Sequence, residues 1–327
     1  MPMLTVCGSA LDAWFGVCAD LGIQPPETGI SASEHNAGVI PLAGFVAMLE
    51  ATASHYKEGP LGWIAGERFE FTQLGEIGKA ILSSSTLGTA LQRFVDYFAL
   101  VQDAAEFDIR VCDDTVTVGY RILAPEIWPR QHDALFTLSI VGQLLRRAQS
   151  FDWTSVQLAL EGNDPALTTA VRHRTGVACT DKADTNLIRF PASALALPMA
   201  HRDDVIRPDY KILNRDLAQK RRAMSVELRV ETEVYRLLGA DLPSQDLIAS
   251  NLGMSTRTLR RRLAQANRSF QDIVYKCRMK QAAHEFRWRR SGSIAHTALR
   301  LGYSEHSALT RAFRRWSGVS PQTYLHA

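Results

Sequence analysis

The chain has 327 residues, 46% of them hydrophobic, with 37 Lys and Arg against 34 Asp and Glu, a formal net charge of +3. That length has room for two or three domains, and no apolar run reaches the ~18 residues of a membrane span. No charged-then-apolar leader opens the sequence, and the five cysteines (Cys7, Cys18, Cys112, Cys179 and Cys277) form no C-x-x-C pair. The expectation is a soluble, cytoplasmic protein with reduced thiols, no metal site, no cofactor and no membrane attachment.

Residues 9–21, 41–56, 86–102 and 132–149 carry apolar side chains at three-and-four spacing and read as helices. Residues 107–111 and 115–121 alternate around Asp113-Asp114 and read as a hairpin, with further short strands over 156–160 and 187–190. This pattern predicts an α+β domain with an antiparallel sheet. It lacks the repeated βαβ order, the G-x-G-x-x-G loop, the H-E-x-x-H helix and the G-x-S-x-G elbow that would point to nucleotide binding or hydrolysis, so no catalytic residue is assigned. Arg68, Tyr97, Arg121 and His132 border or interrupt apolar surface and are the candidates for binding a small ligand.

From Asp209 to Leu238 the chain is charged and helical, with Lys220-Arg221-Arg222 in its middle. Residues 204–225 read as a connection between domains, with the basic cluster solvated, and Glu227 to Leu238 as the first helix of a second domain. Charge divides the same way. From Pro243 to Ala327 there are 15 Lys and Arg against 4 Asp and Glu, a net of +11, which leaves 22 against 30, a net of −8, for everything before it. A small basic domain beside an acidic one suits a nucleic-acid binder with a separate sensor.

The basic domain contains one element twice. Ala249 is followed three residues on by Leu252-Gly253-Met254-Ser255, and Ala298, 49 residues later, by Leu301-Gly302-Tyr303-Ser304. Each reads as helix, tight turn, helix: the glycine supplies a positive φ and the serine caps the helix that follows. Two helix-turn-helix motifs are thereby expected, over 244–265 and 293–316. Leu259, Leu263 and Ala266 mark the inward face of the first second-helix, and Leu309, Phe313 and Trp316 that of the other. Arginines fill the outward faces. Beyond the turns the offset between copies becomes 50, as from Leu259 to Leu309, so the second copy has one extra residue at its helix start. Phe270 to Arg290 reads as one helix between the motifs, with an apolar face of Phe270, Ile273, Val274 and Cys277. At ~31 Å it comes close to the ~34 Å between successive major-groove faces of B-DNA.

The run Ser293-Ile294-Ala295, Ala298 to Ser304, Arg311 to Trp316 and Gly318-Val319-Ser320-Pro321 resembles the carboxy-terminal signature of AraC/XylS-type bacterial transcription regulators over about the last 85 residues. His296 and Thr297 stand where that family usually has an acidic residue and an Ile, and Leu309 where it often has Phe. Leu74-Gly75, Ile77, Ser85 to Leu91 and Asp133 to Phe136 are similar to the arabinose-binding-like sensor domain of a subgroup that includes ornithine-utilisation regulators. The resemblance implies a ligand-sensing and dimerisation domain over 1–203 and a DNA-binding domain over 226–327. It further implies a metabolite-responsive activator, not an enzyme, whose partners are double-stranded promoter DNA, RNA polymerase, a small-molecule effector and a second copy of itself. Control by a protein partner through the amino-terminal domain, with no small ligand, is the alternative. By the same resemblance the base-contacting positions fall on Arg257, Arg260, Arg261, His306, Ser307 and Arg311, whose side chains suit base edges in the major groove. Ser255, Arg262, Ser304, Arg314 and Arg315 are assigned to phosphates.

Overall fold

The computed structural model describes residues 4–26, 38–200, 207–239, 241–289 and 293–325. Two compact units emerge. One comprises the chain through Arg221 apart from Leu123–Glu126; that short segment clusters with the other unit, Arg222–Ala327.

In the first unit a two-stranded ladder of β1 (Thr5–Cys7) and β2 (Val39–Pro41) leads into α1 (Gly8–Asp20) and α2 (Leu42–His55). There follow α3 (Leu61–Glu67), α4 (Glu76–Leu82) and α5 (Leu87–Val101). Next come β3 (Ala105–Cys112) and β4 (Thr115–Ile122), then α6 (Gln131–Arg147), β5 (Gln157–Glu161), α7 (Pro165–Thr175), β6 (Ala178–Ala183) and β7 (Asn186–Pro191). The five-stranded sheet has the order β3-β4-β7-β5-β6 and is antiparallel except between β5 and β6, which α7 joins as a parallel pair. The expected helices and strands are all present within one or two residues of their predicted ends. Missing from the sequence reading are α3, α4, α7, β6 and the β1–β2 ladder.

The core gathers Trp14, Phe45, Trp63, Phe71, Phe94, Tyr120 and Phe190, all essentially inaccessible to solvent. Its tightest crossing is α3 over α6. A Cβ on Gly62 would lie 2.3 Å from the His132 carbonyl oxygen and one on Gly66 2.5 Å from that of Phe136, so two glycines one turn apart let the helix backbones touch. Hydrogen bonds then fix the crossing: the Ser139 hydroxyl donates to the Trp63 carbonyl (2.8 Å), and the Gln143 amide to those of Gly66 and Phe69 (2.6 and 2.9 Å).

The segment read as a connection differs from that picture where it is described. Residues 210–223 form α8 (Tyr210–Ala223), which lies with the first unit through Arg221. Leu213 is buried, the Arg93 guanidinium stacks over the Tyr210 ring (5.5 Å), and Lys220 of the basic cluster pairs with Asp103 at 3.0 Å. Lys220 is therefore engaged in an ion pair rather than solvated, because the fold sets an acidic residue from the end of α5 beside it.

The second unit is helical: α9 (Val226–Leu237), α10 (Gln245–Asn251), α11 (Thr256–Gln265), α12 (Phe270–His284), α13 (Ile294–Arg300), α14 (His306–Ser317) and α15 (Pro321–Leu325). Ser225 opens α9 by accepting the Leu228 N–H (3.2 Å). The helix expected over 270–290 is α-helical only to His284 and continues as a π-helical turn over Glu285–Arg289; residue 290 lies outside the described residues. Phe270, Ile273, Val274 and Cys277 are buried as expected, and burial pushes the Cys277 thiol up to about 12, which suits packing and not redox chemistry.

Candidate nucleic-acid interface

Both motifs are built by the same bonds. Ser244 starts α10 by accepting the Leu247 N–H (3.2 Å), and Ser293 starts α13 by accepting that of His296 (3.1 Å). Gly253 then turns at φ 66° and Gly302 at φ 77°. The Met254 N–H reaches back to the Ala249 carbonyl (3.0 Å) and the Gly253 N–H to that of Ser250 (2.9 Å). In the second copy Tyr303 reaches Ala298 (2.9 Å) and Gly302 reaches Leu299 (3.0 Å). These are Schellman closures, in which a residue at positive φ satisfies the last carbonyls of a helix. Each first helix is thus closed by the same pair of bonds.

The second helices start differently. Ser255 caps α11 as expected, accepting the Thr258 N–H at 3.2 Å. Ser304 does not cap α14. The extra residue moves the cap position to Glu305, whose side chain makes no capping bond and instead accepts the Ser307 hydroxyl (3.0 Å). The one-residue change of offset between the copies carries this signal in the sequence.

Inward packing sets which side chains are left outside. Leu259 and Leu263 are buried under α11, while Ala266 lies just past its end and is half-buried. Leu309 and Phe313 are buried under α14, and Phe313 takes Phe286 and Tyr324 on its edges (5.2 and 5.3 Å). Trp316 was expected inside as well. It is 40% exposed, packing only one side on Phe313 (5.7 Å), because the inward stripe of α14 is filled one turn earlier. The departures from the family pattern are accommodated: Leu309 is inaccessible, and Thr297 is buried with its hydroxyl on the Glu285 carboxylate (3.0 Å).

With those faces buried, Arg257, Arg260, Arg261 and Arg262 are exposed on α11, and His306, Arg311, Arg314 and Arg315 on α14. Ser255 and Ser304 are exposed at the two turns, and Ser307 is half-buried. Arg315 also stacks over Tyr275 (5.3 Å), whose hydroxyl donates to the Ala312 carbonyl (3.0 Å) and ties α12 to α14. The Arg229 guanidinium donates to the Leu252 carbonyl (3.1 Å) at the end of α10, placing a cation at the negative end of that helix. Seven of the 15 Lys and Arg between Pro243 and Ala327 thus lie on α11 and α14, all of them exposed.

The four ligand candidates of the first unit have separate surroundings. Arg68 pairs with Asp20 at the surface (3.0 Å), Arg121 with Glu106 across β3 and β4 (2.6 Å), and Tyr97 is core. His132 alone lines a cleft, of about 790 Å³, together with Glu50, Lys57, Asp164, His173 and Arg174. Its Nδ1 accepts the Gly62 N–H (3.2 Å), and burial pulls its pKa down to about 4, so the ring is neutral. Glu50 accepts the His132 N–H (2.6 Å) at the start of α6, and burial raises its carboxyl to about 7. Beside it, Asp133 is raised to about 6 by burial and accepts the Tyr120 hydroxyl (2.7 Å), which in turn accepts the Gln102 amide (2.7 Å). Among the described residues no cluster of His, Cys, Asp and Glu is arranged to hold a metal, and no helix is long and apolar enough to cross a membrane.

Both parts of the chain match known protein families. Residues 17–199 match the arabinose-binding domain of AraC transcription regulator, N-terminal, and residues 248–327 match a helix-turn-helix domain. The chain is 28% identical to the HTH-type transcriptional regulator VirS of Mycobacterium tuberculosis, over 86% of this chain and 83% of that protein. It is 26% identical to the ornithine utilization regulator of Pseudomonas aeruginosa, over 83% of this chain and 79% of that protein. A solved structure, the transcriptional regulator CdpR of Pseudomonas aeruginosa, aligns over 98% of both chains at 22% identity with a TM-score of 0.46. These relatives are transcription regulators, not enzymes. The chain belongs to the AraC family of DNA-binding transcription regulators.

Proposed function

We propose that this regulator activates transcription in response to a metabolite, reading a promoter through α11 and α14 together. The observation that carries the reading is the identical closure of the two turns, each followed by a helix whose unburied face is arginine-rich. In this reading Arg257, Arg260 and Arg261 of α11, and His306, Ser307 and Arg311 of α14, contact base edges. Ser255, Arg262, Ser304, Arg314 and Arg315 hold phosphates. The unit from residue 226 onward is the DNA-binding domain. The first unit carries the effector and pairs two copies of the chain, and the activated complex engages RNA polymerase.

The cleft beside His132 supports a small effector over control by a protein partner, since its volume lies in the range of small-molecule sites and both acidic and basic groups line it. Two measurements test the reading. Arg257→Ala or Arg261→Ala should cost about 1–3 kcal/mol on the cognate site and flatten its preference over point-mutated sites, whereas Arg315→Ala should weaken all DNA alike. Uniform weakening by all three would overturn the base-reading assignment. A metabolite that binds the first unit should raise the melting temperature by mass action; no stabilisation across a broad metabolite set would favour the partner-controlled alternative.

A further inference from the structure

The outer edge of the sheet carries its own signal. β3 is a terminal strand, paired with β4 on one side and with no strand on the other among the described residues. The two-residue loop Asp113-Asp114 closes on the pair Cys112 and Thr115, which is a hydrogen-bonded pair in a hairpin of this length. Alternation along the ladder then assigns the backbone of Arg110 and Asp108 to β4 and turns the N–H and C=O of Val111, Ile109 and Phe107 outward. No hydrogen bond to those outward groups is present among the described residues. An eight-residue edge of this kind is a template for another strand unless something blunts it. Here no proline interrupts it, and Val111 is 56% exposed.

We infer that β3 pairs antiparallel with β3 of a second copy of the chain about a two-fold axis at Ile109, joining the two five-stranded sheets into one. The charges select both the occupant and the register. Glu106, Asp108 and Arg110 share one face of β3, and Phe107, Ile109 and Val111 the other. With the axis at Ile109, Ile109 faces Ile109 of the second copy and Phe107 faces Val111, and the outward backbone groups supply about six inter-strand hydrogen bonds. Asp108 then faces Arg110 twice, in the non-hydrogen-bonded pairs where opposed side chains come closest. Shifting the axis by one residue either way sets Asp108 against Asp108 or Arg110 against Arg110. Centring it on Phe107 sets Asp108 against Glu106. Only self-pairing at Ile109 makes every facing charge pair opposite in sign. Within a single copy Asp108 and Arg110 pair with each other along the strand, so the charges are already held at the edge.

This inference rests on the homodimer part of the reading above, and its test separates the two. Sedimentation velocity on the full chain across a concentration series should show a dimer. Asp108→Arg and Arg110→Asp, each alone, set like charges opposite one another and should weaken the dimer at least about tenfold, while the double reversal should restore it to within about threefold. Ile109→Pro should also weaken it, since it removes an outward N–H and leaves the ladder to β4 intact. If a single reversal fails to fold, Asp108→Asn and Arg110→Gln carry the same test with a smaller loss. A wild-type dimer that ignores the single reversals, or that the double reversal does not rescue, would overturn the β3 interface alone. A chain that stays monomeric throughout would overturn the homodimer as well.

Discussion

The Thr256 hydroxyl donates to the Asp246 carboxylate at 2.6 Å, tying the first residue of α11 to the first turn of α10 across the whole of the first motif. The bond sets the angle between the helix that packs and the helix that presents Arg257, Arg260 and Arg261. Thr256→Val should therefore leave helix content unchanged, cost about 1 kcal/mol of stability, and weaken cognate DNA binding. Circular dichroism and a mobility-shift titration on the same variant check both halves.

Gly253 and Gly302 turn the same way but sit in different surroundings. A Cβ on Gly253 meets nothing within 4 Å, whereas one on Gly302 would lie 2.4 Å from Leu242 Cδ2 and 2.9 Å from an Arg278 nitrogen. Gly253→Ala then costs only the positive φ, about 1–2 kcal/mol. Gly302→Ala adds displacement of the neighbouring side chains and should cost more. Equal losses on chemical denaturation would show that the crowding around Gly302 is relieved without cost.

The crossing of α3 over α6 admits no side chain at Gly66, where a Cβ would strike both the Phe136 carbonyl and the Ser139 side chain. Gly66→Ala should destabilise the first unit by about 1–3 kcal/mol or more by overpacking. Because the clash lies outside the second unit, DNA binding at a temperature where both units are folded should be retained. Differential scanning calorimetry together with a binding isotherm separates the two.

Burial raises Asp133 from 3.8 to about 6, so the unfolded chain gives up this proton more readily than the folded one. Its contribution is fully present below pH ~4 and is lost as pH rises through about 6. Glu50, raised to about 7, acts in the same direction, and His132, lowered to about 4, acts in the opposite one as pH falls below 6.5. Asp133→Asn removes one of these titrations. The wild type should lose on the order of 2–3 kcal/mol relative to that variant between pH 4 and pH 7. Parallel stability curves over that range would contradict the assignment.

What the sequence made legible is what local chemistry dictates. Each turn needs a residue at positive φ and a capped helix after it, so Gly253 with Ser255 and Gly302 announced both motifs, while Ser304 does not cap α14. The buried stripes of α11 and α14 followed from period, except at Trp316 and Ala266, where the apolar spacing outruns the packed surface. α7 was invisible because two of its three buried residues are Thr168 and Thr175, whose hydroxyls bond to the carbonyls four residues back, of the cap residue Asp164 and of Val171 (2.9 and 2.8 Å), in place of an apolar stripe. α3 is buried along nearly its whole length and contains two glycines, so its helicity comes from the crossing and not from propensity. The ligand candidates illustrate the same limit. Arg121 stands alone as a charge in its stretch of sequence and Arg68 lies between Glu67 and Glu70, yet their partners Glu106 and Asp20 are supplied by other elements of the fold.

The central claim is that both recognition helices enter DNA together. The 15 residues of α12 span roughly 22 Å and run on through the π-helical turn over Glu285–Arg289, so one packed connection joins the two motifs. A footprint of the intact chain on its promoter, repeated with five base pairs inserted between the half-elements, tests the claim most directly. The account predicts protection of two major-groove segments about 10 base pairs apart on one face of the duplex. It also predicts near-complete loss of specific binding on the insertion, because half a turn of DNA carries one segment to the opposite face, and partial loss for Arg311→Ala. Protection of a single segment, with affinity unchanged by both the insertion and Arg311→Ala, would contradict it and leave α11 as the sole reader.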